Sequence, residues 1–157
     1  MLSVDIICVG KLKEKFFADA CDEYKKRMSS YCKLNIVELA ETPAANESEV
    51  RRALSAEAER ISAKIPKDAY LICMCIEGKL LSSEALSEKI TSLKCSGKSR
   101  LCFIIGGSNG IDESIKARAE LRLSMSPMTF PHHLARVMLL EQIYRAFKIE
   151  EGSGYHK

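Results

Sequence analysis

Leu101–Gly110 (LCFIIGGSNG) decides the expected fold, because an apolar run of strand length ends directly in a glycine-rich turn. Asp112 comes soon after this turn and can cap a short helix that we expect to end near Ala119. The order strand, tight turn, helix is typical of an α/β unit, whose turn lies at the carboxyl end of a buried strand. Ligands bind at this edge of open α/β sheets, so we expect the binding site here.

The rest of the chain alternates between apolar runs and segments with helical periodicity. The apolar runs predict strands at residues 4–10, 33–39, 69–76 and 101–105. Helices are predicted at residues 13–31, 47–65, 82–93, 112–119 and 131–147. Glu77–Lys79 is expected to be a turn. Because no repeat or long linker interrupts residues 1–157, we predict a single α/β domain with a mostly parallel sheet flanked by helices.

The composition argues against several classes of protein. Apolar residues make up 46% and charged residues 29%, which is a globular rather than a disordered composition. No apolar run approaches the ~18–20 residues that cross a bilayer, and the N-terminus does not resemble a signal peptide. The seven Cys are odd in number and scattered, which favours a reducing compartment over a disulfide framework. We therefore expect a cytoplasmic protein without a membrane segment.

The excess of positive over negative charge lies in the last quarter of the chain. Residues 1–115 hold 17 basic and 17 acidic side chains, whereas residues 116–157 hold seven Lys and Arg against four Glu, which accounts for the net charge of +3. Either an anionic partner binds near the C-terminus, or the excess is ordinary variation of a protein surface. Charge alone favours the second interpretation.

Two segments could bind a ligand. The G-G-x-x-G spacing of Gly106–Gly110 matches neither a dinucleotide fingerprint nor a P-loop, and a bare glycine turn is more often structural than ligand-binding. Met125–Pro131 (MSPMTFP) is an apolar loop with two prolines directly before a helix. This loop either packs under another segment or walls an apolar pocket, where its backbone groups could read the edge of an adenine.

The last helix and the tail leave further alternatives. Val137–Leu140 is apolar on more than one helical face, so a second subunit is the expected cover for the outer face. No metal site is expected, because adjacent His132 and His133 point about 100° apart on a helix and the Cys residues lack further ligands. Tyr155–Lys157 is either a frayed end or a catalytic tip, in which His156 suits proton transfer near neutral pH.

Several of these segments together resemble one known family. Residues 103–110, 123–132, 141–149 and 155–157 resemble, in order and spacing, the signatures of the RlmH family of large-subunit (23S) ribosomal RNA pseudouridine N3-methyltransferases, within the SPOUT class. Val9–Lys15 and Glu77–Lys79 also fit, so the resemblance covers essentially the whole chain. It departs at the end, because Lys157 cannot make the planar two-point phosphate contact of members that have Arg after the Tyr-His pair.

The resemblance implies a SPOUT-type α/β knot, which is a deep trefoil knot near the C-terminus. It implies a homodimer with the site at the subunit interface, S-adenosylmethionine as cofactor, and methylation of N3 of a pseudouridine in large-subunit ribosomal RNA of assembled ribosomes. The implied cofactor-binding residues are Met74, Gly106, Met125, Ser126, Pro127, Met128, Thr129 and Phe130. The implied catalytic residues are Tyr155, His156 and Arg145.

These residues suggest a mechanism based on positioning and one proton transfer. His156 is the candidate general base for the weakly acidic N3–H, and Tyr155 could stack on the base or orient it. Arg136 and Arg145 could hold phosphates or stabilise negative charge on the ring. The alternative is a non-catalytic nucleotide- or ribosome-binding α/β module, for which deletion of the Tyr-His pair would be harmless.

Overall fold

Five strands form one sheet in the computed structural model, which describes residues 1–157. The spatial order is β2-β1-β4-β3-β5, and every neighbouring pair is parallel. The strands are β1 (Leu2–Val9), β2 (Cys32–Leu39), β3 (Tyr70–Leu80), β4 (Arg100–Ile105) and β5 (Leu121–Ser124). The predicted α/β class with a mostly parallel sheet is therefore confirmed.

Helices cover both faces of this sheet. They are α1 (Lys15–Met28), α2 (Glu47–Lys64), α3 (Ser83–Cys95), α4 (Glu113–Arg118) and α5 (His132–Glu150). None of them is both long and apolar enough to span a membrane. The predicted cap at Asp112 is present, since its side-chain oxygen accepts a backbone N–H of α4, and Asn46 and Ser82 cap α2 and α3 in the same way.

The apolar runs of the sequence are explained by burial on both faces of the sheet. On β4, Phe103 packs in the larger core with α1, α3 and α5, whereas the next residue, Ile104, packs on the opposite face with α2 and α4. Both side chains are fully buried. A central parallel strand of this kind needs no polar alternation, which is why residues 101–105 are continuously apolar.

Two sequence predictions were wrong around β3 and β5. Glu77–Lys79 is not a turn, because β3 continues to Leu80 and its pairing with β5 shifts register between Met74 and Lys79. Gly78 permits a close backbone approach instead, since a Cβ there would lie 2.7 Å from the carbonyl carbon of Leu123. Residues 121–124 were assigned to no element, yet they form β5. The trefoil knot implied by the resemblance stays a prediction.

Candidate active site

A cavity of about 470 Å³ lies where β3, β4 and β5 reach the C-terminal edge of the sheet. Ligand pockets commonly measure about 300–1,000 Å³, so a cofactor-sized molecule fits its volume. The strand ends, the turn after β4, the loop after β5 and the first turn of α5 enclose it. Seven of the eight residues expected at the cofactor line it, namely Met74, Gly106, Met125, Ser126, Met128, Thr129 and Phe130, whereas Pro127 does not.

The glycine turn after β4 requires its glycines. A Cβ on Gly106 would lie only 2.3 Å from the carbonyl oxygen of Gly110, a distance that no packing tolerates. Gly110 has φ +84° and donates its N–H to the carbonyl of Gly107 at 3.1 Å. The turn is therefore folded tightly back on itself, and its backbone forms one wall of the cavity.

The apolar loop between β5 and α5 forms the facing wall, which answers the question that its sequence left open. Two serine hydroxyls fix its shape: Ser124 Oγ donates to the carbonyl of Ser126 at 3.0 Å, and Ser126 Oγ accepts the N–H of Met128 at 3.0 Å. Met128 is 74% exposed, so its side chain is available to cover a bound molecule.

Glu41, which follows β2, supports the glycine turn. Sequence reasoning did not identify this residue. Its Oε1 accepts the backbone N–H of Ser108 at 2.8 Å and would lie 2.7 Å from a Cβ on Gly107. Burial raises the pKa of Glu41, but the hydrogen bonds from Ser108 and nearby His132 outweigh burial and lower it. The carboxyl ends of parallel strands meet at one edge, which is the signal that could have placed Glu41 there.

An ion pair forms a polar part of the cavity wall. Lys116 Nζ lies 2.5 Å from Glu77 Oε1, and both residues line the cavity. Partial burial alone would lower the pKa of Lys116, but the hydrogen bond and the charge of Glu77 raise it. No three His, Cys, Asp or Glu side chains converge in a way that could hold a metal ion.

The three expected catalytic residues lie together, but none of them lines the cavity of the same chain. Tyr155 Oη donates to Glu141 Oε2 at 2.9 Å, and the Arg145 guanidinium lies 4.7 Å from the centre of the Tyr155 ring. Arg145 also pairs with Glu141 at 2.6 Å. Partial burial and the hydrogen bond to Glu141 raise the pKa of Tyr155, so its hydroxyl keeps its proton.

Both ring nitrogens of His156 are engaged in this C-terminal cluster, which we define as Glu141, Arg145, Tyr155 and His156. Nδ1 is 3.2 Å from Arg145 Nη1, and Nε2 is 2.7 Å from Glu84 Oε1. Because a guanidinium only donates, Nδ1 must accept, and in the neutral ring Nε2 carries the proton that it donates to Glu84. A base role for His156 therefore requires that at least one of these contacts opens.

A second cavity, of about 510 Å³, adjoins the first and shares Leu123, Ser124 and Met125 with it. Glu141 of the C-terminal cluster lines the second cavity but not the first. Most of its lining is apolar, with Leu81, Leu86, Val137, Met138 and Leu139. Val137 and Met138 are half-buried. They belong to the face of α5 that we expected a second subunit to cover.

Arg136 cannot contact phosphates, contrary to what the sequence suggested. It is one of the seven basic residues of the last quarter, but its charge is not available to an anionic partner. The side chain is 2% exposed, pairs with Glu38 at 2.6 Å and donates from Nη2 to the carbonyl of Gly10 at 3.1 Å. Its role is therefore to join α5 to the ends of β1 and β2. Sequence reasoning failed here because helical periodicity does not reveal a buried ion pair between distant segments.

Comparisons with known proteins agree over the full length of the chain. The sequence model of a family described as "Predicted SPOUT methyltransferase" matches residues 2–156. A protein named ribosomal RNA large subunit methyltransferase H from Bifidobacterium adolescentis is 51% identical, and one of the same name from Bacillus pumilus is 46% identical. A protein with the same name marked as putative, from Methanococcus maripaludis, is 49% identical. Each alignment covers 99% of this chain and 100% of the relative.

A solved structure shares the fold at much lower sequence identity. It is described as a probable methylase family protein from Haemophilus influenzae, and it superposes with a TM-score of 0.56 at 15% identity. The superposition covers 100% of this chain and 72% of the other. At this identity the likeness supports the architecture alone.

Proposed function

Because this chain belongs to the SPOUT methyltransferase family, we propose that it transfers a methyl group from S-adenosylmethionine to large-subunit ribosomal RNA. The observation that carries the proposal is the cavity at the C-terminal edge of the sheet, which seven of the eight expected cofactor residues line. The names of relatives that are 46–51% identical over their full length support the RNA substrate.

The residues of the cavity fit S-adenosylmethionine. The backbone of Met125–Phe130 can hydrogen-bond the edge of an adenine, and Met74 with Met125 can contact its face. Gly106 allows the turn that walls the cavity to fold tightly, because a Cβ there would collide with Gly110. The cofactor supplies a methyl group that the positive charge on sulfur already activates. The protein's own task is then to exclude water, align the acceptor atom and move one proton.

We propose N3 of a pseudouridine as the acceptor, in the RNA of assembled ribosomes. A uracil-type N3–H is weakly acidic, so a general base is needed, and His156 is the candidate. Tyr155, whose hydroxyl stays protonated, can stack on the base or orient it, and Arg145 can stabilise negative charge that develops on the ring. All three act from the C-terminal cluster.

The site is proposed to be complete only in a homodimer. In one chain the C-terminal cluster rests on α3 and α5, outside the cofactor cavity. Apolar side chains of Ile76, Leu80 and Met128 are exposed around or beside that cavity, and the second cavity is apolar as well. A second copy that covers these surfaces would bring its own tail to the cofactor cavity.

Calorimetric titration of the purified protein with S-adenosylmethionine is the first experiment, with FMN and ATP as controls. We expect saturable binding of S-adenosylmethionine alone. Transfer of labelled methyl to assembled ribosomes, isolated large subunits and naked ribosomal RNA then tests the substrate, and mass spectrometry locates the methyl group. A folded dimer that binds FMN or ATP but not S-adenosylmethionine would contradict the methyltransferase proposal and favour a binding module.

A further inference from the structure

The segment Gly10–Phe16 (GKLKEKF), which runs from the end of β1 into the first turn of α1, has no part in the function proposed so far. It begins where β1 reaches the C-terminal edge of the sheet, which is the edge that holds the cofactor cavity. Its Lys11, Lys13 and Lys15 side chains are exposed, and the Phe16 side chain is 66% exposed. The aromatic ring and the lysine side chains are therefore all accessible to a partner.

Buried interactions fix the backbone of this segment. Gly10 has φ +103°, and its carbonyl accepts the hydrogen bond from buried Arg136. Glu38, the ion-pair partner of Arg136, also accepts the N–H of Leu12 at 3.2 Å. The segment is thus pinned at two points, so its lysines and Phe16 are presented from a defined position at little entropic cost.

Aromatic contacts connect Phe16 to the wall of the cofactor cavity. The Phe16 and Phe17 rings are 4.4 Å apart, and the Phe17 ring is 6.3 Å from that of His133. The rings of His133 and His132 are 4.0 Å apart, and His132 lines the cavity. The exposed ring therefore lies at one end of a row of four rings whose other end, His132, lines the cofactor cavity.

This segment carries two cations that no carboxylate holds, whereas several cations of the basic last quarter are paired. Arg136 and Lys148 pair with Glu38 and Glu151, and Arg145 pairs with Glu141, each within 2.6 Å. Lys11 and Lys13 have no carboxylate within 4.0 Å, whereas Lys15 pairs with Asp19. Lys11 and Lys13 are therefore available to bind an anion at the edge of the sheet that holds the cavity.

We propose that Lys11, Lys13 and Phe16 form a docking surface for an unpaired loop of ribosomal RNA, so that its target base reaches the cofactor cavity. The inference rests on the proposed function. Lysines can contact the phosphates of the loop, and Phe16 can stack on one of its bases, which is how single-stranded RNA is commonly recognised. Paired RNA hides its base faces and would leave Phe16 without a partner.

Replacement of both lysines tests the electrostatic part. We expect the Lys11→Ala/Lys13→Ala variant to bind ribosomes roughly tenfold more weakly and to lower the slope of log affinity against log salt by about 1.4, because each lost phosphate contact contributes about 0.7 for single strands. The matched control is Lys67→Ala/Lys98→Ala, which removes two exposed lysines at the opposite edge of the sheet. Affinity for S-adenosylmethionine should stay unchanged in both variants.

Substitution of Phe16 tests the stacking part. Phe16→Leu keeps an apolar side chain and should raise KM for ribosomes by about 5- to 100-fold, since stacking on one base has that range of effects. Phe16→Tyr keeps the ring and should retain KM within about twofold. A merely structural role of Phe16 predicts the same KM for both variants, together with a lower Tm for Phe16→Leu.

The outcomes separate this surface from the proposed function. If the wild-type protein methylates ribosomal RNA and the double-lysine variant matches its control in KM and salt slope, the docking surface is wrong and the methyltransferase proposal stands. If salt-dependent binding through Lys11 and Lys13 is found without any methyl transfer, the surface stands and the proposed activity is wrong.

Discussion

The two parts of the candidate site are held in opposite ways. The cofactor cavity is shaped by backbone, with Gly106 packed against the carbonyl of Gly110 and Ser126 tied to its own loop. The C-terminal cluster is held by side chains, with Tyr155 on Glu141 and His156 between Arg145 and Glu84. The first part is complete in one chain, whereas the second satisfies its own hydrogen bonds away from the cavity.

This difference indicates which step each part controls. A cavity formed by tight turns is preorganised, so its variants should change cofactor affinity. A cluster that must exchange its hydrogen bonds before it reaches a substrate should control turnover instead. A cavity variant that changes turnover but not cofactor affinity, or a cluster variant that changes cofactor affinity, would contradict this division.

The largest effect is expected from His156→Ala. Loss of a general base lowers turnover by about 10²- to 10⁴-fold, while affinity for S-adenosylmethionine should stay within twofold of the wild type. Single-turnover methylation at saturating ribosomes measures the first quantity, and calorimetry measures the second. Full turnover at saturating substrate would exclude His156 as the base.

Mixed dimers sharpen this prediction. If the tail acts on the partner's cavity, an equal mixture of Gly106→Ala and His156→Ala chains should recover about a quarter of the wild-type rate, because half of the dimers then carry one intact site. No recovery after confirmed subunit exchange would place the whole site within one chain.

Gly106→Ala alone should show the opposite pattern. Its Cβ would lie 2.3 Å from the Gly110 oxygen, so the turn must move, and overpacking of this kind should weaken cofactor binding by about 10- to 100-fold. Gly154→Ala is the control, because a Cβ there meets nothing within 4 Å. An unchanged cofactor affinity in the folded Gly106→Ala protein would contradict the assigned cavity wall.

The sequence predicted the parts of the molecule that local patterns encode. The continuously apolar run at residues 101–105 predicted a central parallel strand, and the apolar loop at residues 125–131 was suspected of walling a pocket. Glu77–Lys79 misled because a glycine between polar residues normally marks a turn, whereas Gly78 here accommodates the backbone of Leu123. β5 was missed because four residues are too few for a periodic signal.

Contacts between distant segments escaped sequence reasoning. Arg136 looked like an exposed helical cation, yet Glu38, 98 residues away, holds it in the interior. Glu41 gave no local signal, because its partner Ser108 is 67 residues away, and only its place after a parallel strand could have indicated it. The roles expected for Tyr155, His156 and Arg145 came from family resemblance, and they remain predictions for experiment.

Glu41→Ala tests whether the cavity depends on support from outside its own loops. The exposed N–H of Ser108 can turn to water, so we expect only a three- to tenfold loss of affinity for S-adenosylmethionine, about 0.7–1.4 kcal/mol, which is less than a lost hydrogen bond to a charged group usually costs. Glu49→Ala is the matched control, since Glu49 accepts the N–H of Ala45 at 2.7 Å in the same β2–α2 connection. Equal affinity in the two variants would show that the turn is self-supporting.

The smallest effect concerns the acid stability of the C-terminal cluster. Burial raises the pKa of Glu141, but hydrogen bonds from Tyr24, Tyr155 and Arg145 outweigh burial and lower it. A carboxylate with a lowered pKa stabilises the fold fully above its ordinary pKa of about 4.3, and this stabilisation is lost as the pH falls through the lowered value. Glu141→Gln should therefore reduce the free energy of unfolding by about 1 kcal/mol at pH 7.

The same difference between wild type and variant should begin to shrink as the pH falls below about 4.3, where the carboxylate of the unfolded chain takes up a proton, and should vanish only below the lowered pKa of the folded protein. Urea unfolding between pH 7 and pH 3.5 measures it, with Glu59→Gln, an exposed site on α2, as the control that should stay flat. A difference that persists undiminished at low pH would mean that packing rather than charge holds the tail. The tail could then leave its resting place on α5 without any change in protonation, and cofactor binding or subunit contact would have to release it.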